Sequence, residues 1–420
     1  MRGMAASRLY SLIKYSLLVL LVLVLLLAAL ALWLRWEFAR VQQAGGDASE
    51  WLQVPVAQLD TSLPAPAPCQ QQYPQNKAWF GALHVHTAAS YDATAFGTTN
   101  SADDAYRFAR GEPVTLGLRG DPEDYQPPVT TISSPLDFMA VTDHAEALGE
   151  ARLCTTPGSE AYGALVCRLY RGDVRLPVED TLQPLIRLTS QAIFGQDRSA
   201  RICGADGSRC LNEAQRAWQD NQRSTEAWLD RSAECRFTTL HGYEYTLAEQ
   251  ASNLHRNVIF KSASVPQMAL SAKEARQPQQ LWRWMRDSCG APGNDCDVLA
   301  IPHNSNWSTG RMWFPLSNLD LPAEARTELA RLRQWAEPLA EIMQVKGDSE
   351  CRNGIASVHG APDEFCDFEK LRSPREEIED CGEQFGSGGM MLRGCASRYS
   401  YVRYALSAGL LERDRLGLNP

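Results

Sequence analysis

The stretch GALHVHTAASYDA, Gly81 to Ala93, places two histidines two residues apart, and an aspartate follows eight residues after the first. The chain has only seven histidines. The apolar residues around His84 and His86 are typical of a short strand, predicted over Ala82 to His86. Side chains two residues apart in a strand point to the same face. The two imidazoles are therefore predicted to reach one metal ion.

Further short apolar runs alternate with helical patterns, which predicts an α/β fold. Strands are expected at Asp137 to Thr142, Phe237 to Tyr245, Val258 to Phe260, Val298 to Pro302 and Glu341 to Val345. Helices are expected after a cap at Asn100 or Ser101, and at Asn212 to Ala233, Gln279 to Ser288, Ala323 to Glu337 and Ser400 to Leu411. Strands separated by helix-bearing connections indicate a parallel sheet, wound as a barrel or left open. Residues 151–235, rich in Arg, Gln and Cys, are predicted to be an insertion.

Polar side chains with metal-binding chemistry stand at the ends of several predicted strands. In a parallel α/β fold these ends assemble the functional site, so the side chains are expected to converge. Histidine and carboxylate ligands without thiolate suit zinc, manganese or iron. A hydrogen-bonded core histidine is the alternative for any one of them, but convergence of four strand ends favours a metal centre. The residues are His84, His86, Asp143, His144, Glu244 and His303.

The first residues of the chain predict a membrane anchor. An apolar run over 15–34 reaches about 30 Å as a helix, which spans a bilayer. Basic residues favour a cytoplasmic amino terminus (1–14) and an exported, periplasmic or extracytoplasmic body. The alternative is a signal peptide cleaved after Ala31, but the apolar run continues past that site. Residues 35–78, rich in Pro, Gln and Ala, are predicted to tether a domain at 79–420.

Cysteine usage and charge agree with an exported enzyme or scaffold. The chain has 12 cysteines and no C-x-x-C pair, which indicates disulfides in an oxidising compartment. Short separations favour bridges between Cys203 and Cys210, Cys289 and Cys296, and Cys381 and Cys395. A net charge of −9 without a basic stripe disfavours nucleic-acid binding.

Four motifs carry a family resemblance. LHVHTAASYDA, FMAVTDHAE, GYEYT and IPHN, in this order, resemble the PHP (polymerase and histidinol phosphatase) superfamily of metal-dependent phosphoesterases. The segments FGALHVHTAASYDATAFGTTNSADDAYRFARGEPV and LHRNVIF more closely resemble the DUF3604 family, a PHP-related group, from about Trp79 to Pro420. The resemblance implies a distorted (β/α)7 barrel, two or three divalent ions and hydrolysis of a small phosphate ester by metal-activated water.

The resemblance also assigns residues. It implies that His84 and His86 bind a first metal and that Glu244 bridges to a second, held also by His255 and His303. Asp92 and His144 match the third position. The residues expected to be essential for catalysis are His84, His144 and Glu244.

Other polar residues receive lesser roles. Asp143 is expected to orient a histidine. His241 and His359 receive no metal role, although His359 is a candidate for lining the pocket. Arg256 and Arg311 are candidate phosphoryl contacts, with a solvated surface arginine as the favoured alternative for each.

One departure from the PHP pattern leaves the function open. The pattern ends in a D-x-H motif, and none follows His303. This indicates a truncated or split member whose barrel lacks its closing strand, with an adjoining chain as a candidate source of the missing ligands. The alternatives to a membrane-anchored hydrolase are an inactive metal-binding module and a disulfide-stapled scaffold.

Overall fold

The computed structural model describes residues 56–59, 62–71, 75–119, 126–174, 198–290, 295–355 and 362–420, with isolated positions outside these ranges. Among the described residues, no helix combines the length and apolar character that crossing a bilayer requires. The predicted anchor at 15–34 lies outside them apart from Tyr15, Ala29 and Leu32. It stays a prediction, as does the side of the membrane on which the body lies.

The described chain combines short strands with longer helices. The strands are β1 (Val56–Gln58), β2 (Gly81–Ala82), β3 (Val114–Thr115), β4 (Val129–Thr130), β5 (Phe138–Met139), β6 (Thr238–Thr239), β7 (His241–Tyr245), β8 (Ala248–Glu249), β9 (Ser252–Asn253), β10 (Arg256–Phe260), β11 (Ser264–Pro266), β12 (Val298–Pro302), β13 (Met343–Gln344) and β14 (Gly347–Asp348). The helices are α1 (Tyr91–Ala95), α2 (Ala102–Ala109), α3 (Leu148–Thr155), α4 (Leu165–Arg171), α5 (Ala200–Cys203), α6 (Ser208–Trp228), α7 (Pro278–Cys289), α8 (Ala323–Ala336) and α9 (Val402–Leu416).

Two three-stranded sheets form the centre of the molecule and continue into each other. Strands β2, β5 and β6 pair in parallel, whereas β10 pairs antiparallel with both β7 and β12. Only Leu240 separates β6 from β7, and a parallel bridge joins His144 to Glu244 beyond it. The order across both sheets is therefore β2, β5, β6 with β7, β10 and β12.

The prediction of a wholly parallel sheet is wrong at β10. The connection from β7 to β10 holds only the β8–β9 hairpin. A parallel crossover needs a dozen or more residues, usually with a helix, so this short connection imposes an antiparallel pair. The described strands do not close into a ring. The (β/α)7 barrel remains a prediction.

Strand β12 has its predicted bounds and β10 begins two residues earlier than predicted, whereas the strands predicted at Ala82 to His86 and Asp137 to Thr142 are shorter in the structure. The first strand ends at Ala82, and the Thr142 hydroxyl accepts the Val85 N–H at 3.0 Å. The run predicted from Glu341 contains only β13.

Helix α2 begins as predicted, with a reciprocal capping box between Ser101 and Asp104. The long helix predicted from Asn212 begins earlier, at Ser208. The apolar face of α6 packs on the second sheet, where Trp218 is buried against Tyr243 and Phe260. The carboxyl-terminal part of the predicted insertion therefore covers the central core.

All 12 cysteines are paired, which confirms the disulfide prediction, including its three short bridges. The bridges are Cys69–Cys235, Cys154–Cys167, Cys203–Cys210, Cys289–Cys296, Cys351–Cys366 and Cys381–Cys395. Part of the predicted tether is joined to the body. Strand β1 pairs with β11, and Cys69 fastens the chain ahead of β2 to the loop before β6.

Candidate metal centre

Glu244 is the centre of a cluster of histidines. It lies in β7, every residue of which is buried, and its side chain is 1% exposed. Five imidazoles bring a ring nitrogen within 3.4 Å of its carboxylate. The distances are 3.3 Å for His84, 2.7 Å for His86, 3.4 Å for His144, 2.7 Å for His255 and 3.1 Å for His303.

Strand ends bring these histidines together. His144 follows β5, and His303 directly follows β12. His255 immediately precedes β10, which is antiparallel to its neighbours, so the amino end of β10 lies at the same edge as the carboxyl end of β12. The His303 amide accordingly donates to the His255 carbonyl at 3.3 Å. The reversed strand therefore supplies a ligand from the end that a parallel sheet would place on the opposite side.

Two further carboxylates lie beside the histidines. Asp92, in the first turn of α1, lies 3.0 Å from His86 Nδ1 and 3.3 Å from His144 Nε2. Glu341 Oε2 lies 2.9 Å from His84 Nδ1. The Glu341 amide donates to the carbonyl of Pro302, which places Glu341 next to the end of β12.

Glu341 and Thr246 are site residues that the sequence reasoning missed. The only signal for Glu341 is its position as an acidic residue at the amino end of a predicted strand. Parallel folds assemble ligands at the carboxyl ends of strands, so this signal did not point to the site. The Thr246 hydroxyl contacts His144 Nδ1. This contact is made at Nδ1, the nitrogen that also lies 3.4 Å from Glu244, whereas Nε2 lies towards Asp92. The Tyr91 ring stacks on His144 with centroids 4.6 Å apart and further restricts the imidazole.

Three groups of side chains have ligand atoms within 4.8 Å of one another. They are His84, Glu244 and His303; His86, Asp92 and His144; and His144, Glu244 and His255. All seven metal-ligand candidates from the sequence thus fall in one cluster. The grouping differs from the one that the resemblance implied, because His84 and His86 belong to different groups. A fourth group pairs Glu150 with Cys203 and Cys210, but their disulfide removes both thiolates as ligands.

The unpaired nitrogens of the cluster fit a divalent metal. His255 Nδ1 lies close to Glu244 Oε1 without the alignment of a hydrogen bond, and among the described residues neither ring nitrogen of His255 has an aligned partner. The same part of the chain offers no aligned partner to the buried His303 Nδ1. Buried polar atoms are nearly always hydrogen-bonded, and one carboxylate cannot satisfy five imidazoles. Nitrogen and oxygen donors of this kind are ligands for zinc, manganese or iron.

The pKa values of the clustered side chains depend on burial and on the charges of their neighbours. Burial would raise the pKa of Glu244, but the surrounding histidines hold it well below its usual range. Burial would lower the pKa of His86, but hydrogen bonds with Asp92 and Glu244 raise it to about 10. Burial dominates at His255 and lowers its pKa to about 4. Without metal, the cluster therefore holds a proton on some imidazoles and excludes it from others, and metal binding competes with those protons.

The sequence predicts that Asp143 orients a histidine, but its hydrogen bonds are with Thr87. Its carboxylate accepts from the amide and the hydroxyl of Thr87, at 2.6 and 2.8 Å. It is buried, and these bonds fix the turn that follows His86. Asp143 therefore acts on the backbone of the histidine motif.

The remaining candidates lie elsewhere. His241 Nε2 pairs with Glu226 at 2.7 Å, and His359 is outside the described residues. Arg256 is 1% exposed and pairs with Glu337, so the surface interpretation is wrong for this residue. Arg311 donates to Gln250 at 2.6 Å and lies over the Phe385 ring.

The family described as "Protein of unknown function (DUF3604)" matches residues 73–420. The chain belongs to this family. No curated protein and no solved structure matches the chain.

Proposed function

We propose that this protein is a metal-dependent hydrolase that cleaves a phosphate ester, with a centre related to that of the PHP superfamily. The observation that carries the proposal is the convergence of five histidines on Glu244, with Asp92 and Glu341 beside them. Structural zinc sites are closed and usually use four ligands. A larger set with an open side is instead suited to two or more metals at a catalytic centre.

The cluster has a buried floor and an open rim. We define the floor as His144, Glu244, His255 and His303, whose side chains are at most 7% exposed. We define the rim as His84, His86, Asp92 and Glu341, whose side chains are 13–23% exposed. Since the rim is the more exposed part of the cluster, we place the approach of the substrate there, while the floor would hold the ligand atoms in place.

The chain's own residues would divide the work between positioning and proton transfer. Divalent ions at this centre would supply Lewis acidity towards a phosphoryl oxygen and lower the pKa of water. Glu244 belongs to two of the ligand groups and would hold their histidines in fixed positions relative to each other. Glu341 would hold His84 through the contact of Oε2 with Nδ1, and as a carboxylate of the rim it would accept a proton during hydrolysis. The buried floor limits bulk water around the reacting atoms.

The proposal includes the location of the enzyme. Six disulfides favour an oxidising compartment. With the predicted anchor at 15–34, this supports an enzyme held at the outer face of a membrane and acting on small phosphorylated compounds.

The test is the metal content and phosphoesterase activity of the full chain, purified from an oxidising compartment without chelator. We expect at least two tightly bound zinc, manganese or iron ions and hydrolysis of p-nitrophenyl phosphate or its diester. Chelation should abolish both, and restoring the metal should recover both. Bound metal without turnover on either ester would instead favour the inactive metal-binding module. Absence of bound metal would refute both.

A further inference from the structure

A small cavity lined by cations lies among the loops that follow two residues of the candidate metal centre. It has a volume of about 40 Å³ and is bordered by the loops that follow His303 and Glu341 and by the segments around residues 370 and 395. A single water needs about 10–15 Å³ on this measure. The cavity therefore has room for a group the size of a tetrahedral oxyanion.

Positive charge dominates the lining. Four cationic side chains face the cavity, and the two that have carboxylate partners are Lys370, bonded to Asp348, and Arg372, bonded to Glu376. The other two, Arg352 and Arg393, form no ion pair with any described carboxylate. The cavity thus carries an excess of about two positive charges.

The burial of Arg352 means that the excess positive charge raises the free energy of the folded protein unless an anion is bound. It is 4% exposed, and its guanidinium donates to the carbonyls of Arg372 and Ser373 at 2.9 and 2.7 Å. A buried charge is normally paired with an opposite charge. Burial and the neighbouring Arg352 also lower the pKa of Lys370, against the pull of Asp348. An anion in the cavity would relieve both effects.

The loop that carries Arg393 is held against the cavity by a close backbone approach and a disulfide. Gly388 has a φ of +77°, and a Cβ there would lie 2.8 Å from Arg393 Cγ and 2.4 Å from its carbonyl oxygen. Glycine at this position therefore permits the close approach of Arg393. The Cys381–Cys395 disulfide ties the base of the same loop, and Cys395 itself lines the cavity.

We propose that this cavity is an oxyanion site that binds a phosphate, sulfate or carboxylate group. The group can come from a free ion or from a second anionic substituent of the substrate. The second source rests on the proposed function, because the same loops carry His303 and Glu341. It would make the enzyme selective for esters that bear two anionic groups.

The first experiment measures sulfate binding to the chelator-treated full chain by calorimetry at constant ionic strength. We expect saturable binding with a Kd on the order of 1 mM. Arg393→Ala should weaken it at least fivefold, and Arg393→Lys should retain most of it because the charge is kept. Arg393 is exposed, so the alanine variant should fold. The matched control is Arg283→Ala, an exposed arginine of α7 outside the cavity, which should bind sulfate as wild type does.

Two results would overturn the proposal: no saturable sulfate binding, or equal binding by wild type and Arg393→Ala. Both are independent of metal and turnover, so they are distinguishable from failure of the proposed hydrolase. A second experiment identifies the source. If Arg393→Ala raises KM for an α,ω-bisphosphate about fivefold but leaves KM for the matching monophosphate unchanged, the ligand is a substrate substituent. If Arg393→Ala changes KM for the bisphosphate and for the monophosphate by the same factor but loses sulfate binding, the cavity binds a free oxyanion.

Discussion

Substitution of Glu244 by Gln tests the centre most directly. The change conserves the volume of the side chain and removes the negative charge that five imidazoles approach. Glu244 belongs to two of the three candidate ligand groups, so both lose an anionic oxygen. The amide also introduces a donor opposite ring nitrogens that otherwise face a carboxylate. We expect loss of metal and activity together.

The structure sets the size of both effects. Loss of a residue that only orients a ligand costs about 10–100-fold in metal affinity, so a direct and shared ligand should cost at least about 100-fold. Removing one partner of a buried charged network costs about 3–5 kcal/mol. At roughly 2–4 °C per kcal/mol for a large domain, the Tm of the metal-free chain should fall by roughly 6–20 °C.

The assay is metal affinity by competition with a chromophoric chelator, together with thermal unfolding with and without metal. Glu226→Gln is the matched control, because Glu226 is also buried and pairs with a histidine of β7, His241, outside the cluster. The control should lose stability but keep its metal. If Glu244→Gln kept wild-type metal affinity, the ion would not lie at this cluster and the proposed centre would be refuted.

Three further outcomes are expected. Glu341→Gln should lower metal affinity about 10–100-fold in the chelator competition, because Glu341 contacts His84 at the rim; unchanged affinity would remove it from the centre. Thr246→Val should lower metal affinity about tenfold and the Tm of the metal-free chain by roughly 2–12 °C, since the buried His144 nitrogen loses the hydroxyl that contacts it; a loss of Tm without loss of metal affinity would show a packing role instead. Thermal unfolding in chelator from pH 4 to pH 10 should give maximal stability near pH 6.5. Because its pKa is raised in the folded state, His86 contributes its full stabilisation below pH 6.5, and this contribution is lost as the pH rises to about 10. The pKa of His255 is lowered, so the free energy of unfolding decreases as the pH falls from 6.5 to about 4. A curve that rises or falls throughout this range would contradict the charge distribution.

Most of the site was predictable because polar side chains at the ends of neighbouring strands converge on one edge of a sheet. Glu244 and its histidines cluster because strand ends meet at one edge, and this holds even though β10 runs in the opposite direction. His255 was assigned through the family resemblance, since a residue at the amino end of a strand has no place in a parallel scheme. The capping box at Ser101 and the short disulfides are local in sequence and were predictable for that reason.

The features that escaped prediction depend on distant contacts. Glu341 reaches His84 across 257 residues of chain, and no local pattern marks it as a ligand. The Cys69–Cys235 bridge spans 166 residues, and spacing alone cannot select one pairing from twelve cysteines. The division of His84 and His86 between ligand groups depends on which neighbours reach each ring. Period-two spacing fixes only the face on which the two rings lie.

The pairing of β1 with β11 shortens the distance over which the protein can work. Residues from Val56, which lie in the stretch predicted to be a tether, are held to the body by this pairing. If the predicted anchor ends at residue 34, about 21 residues remain between bilayer and body, and even at full extension they cover only about 70 Å. The rim would then sample a thin layer of solvent above the lipid headgroups. Compounds released at or carried to that surface would meet the protein far more often than those deep in the surrounding compartment.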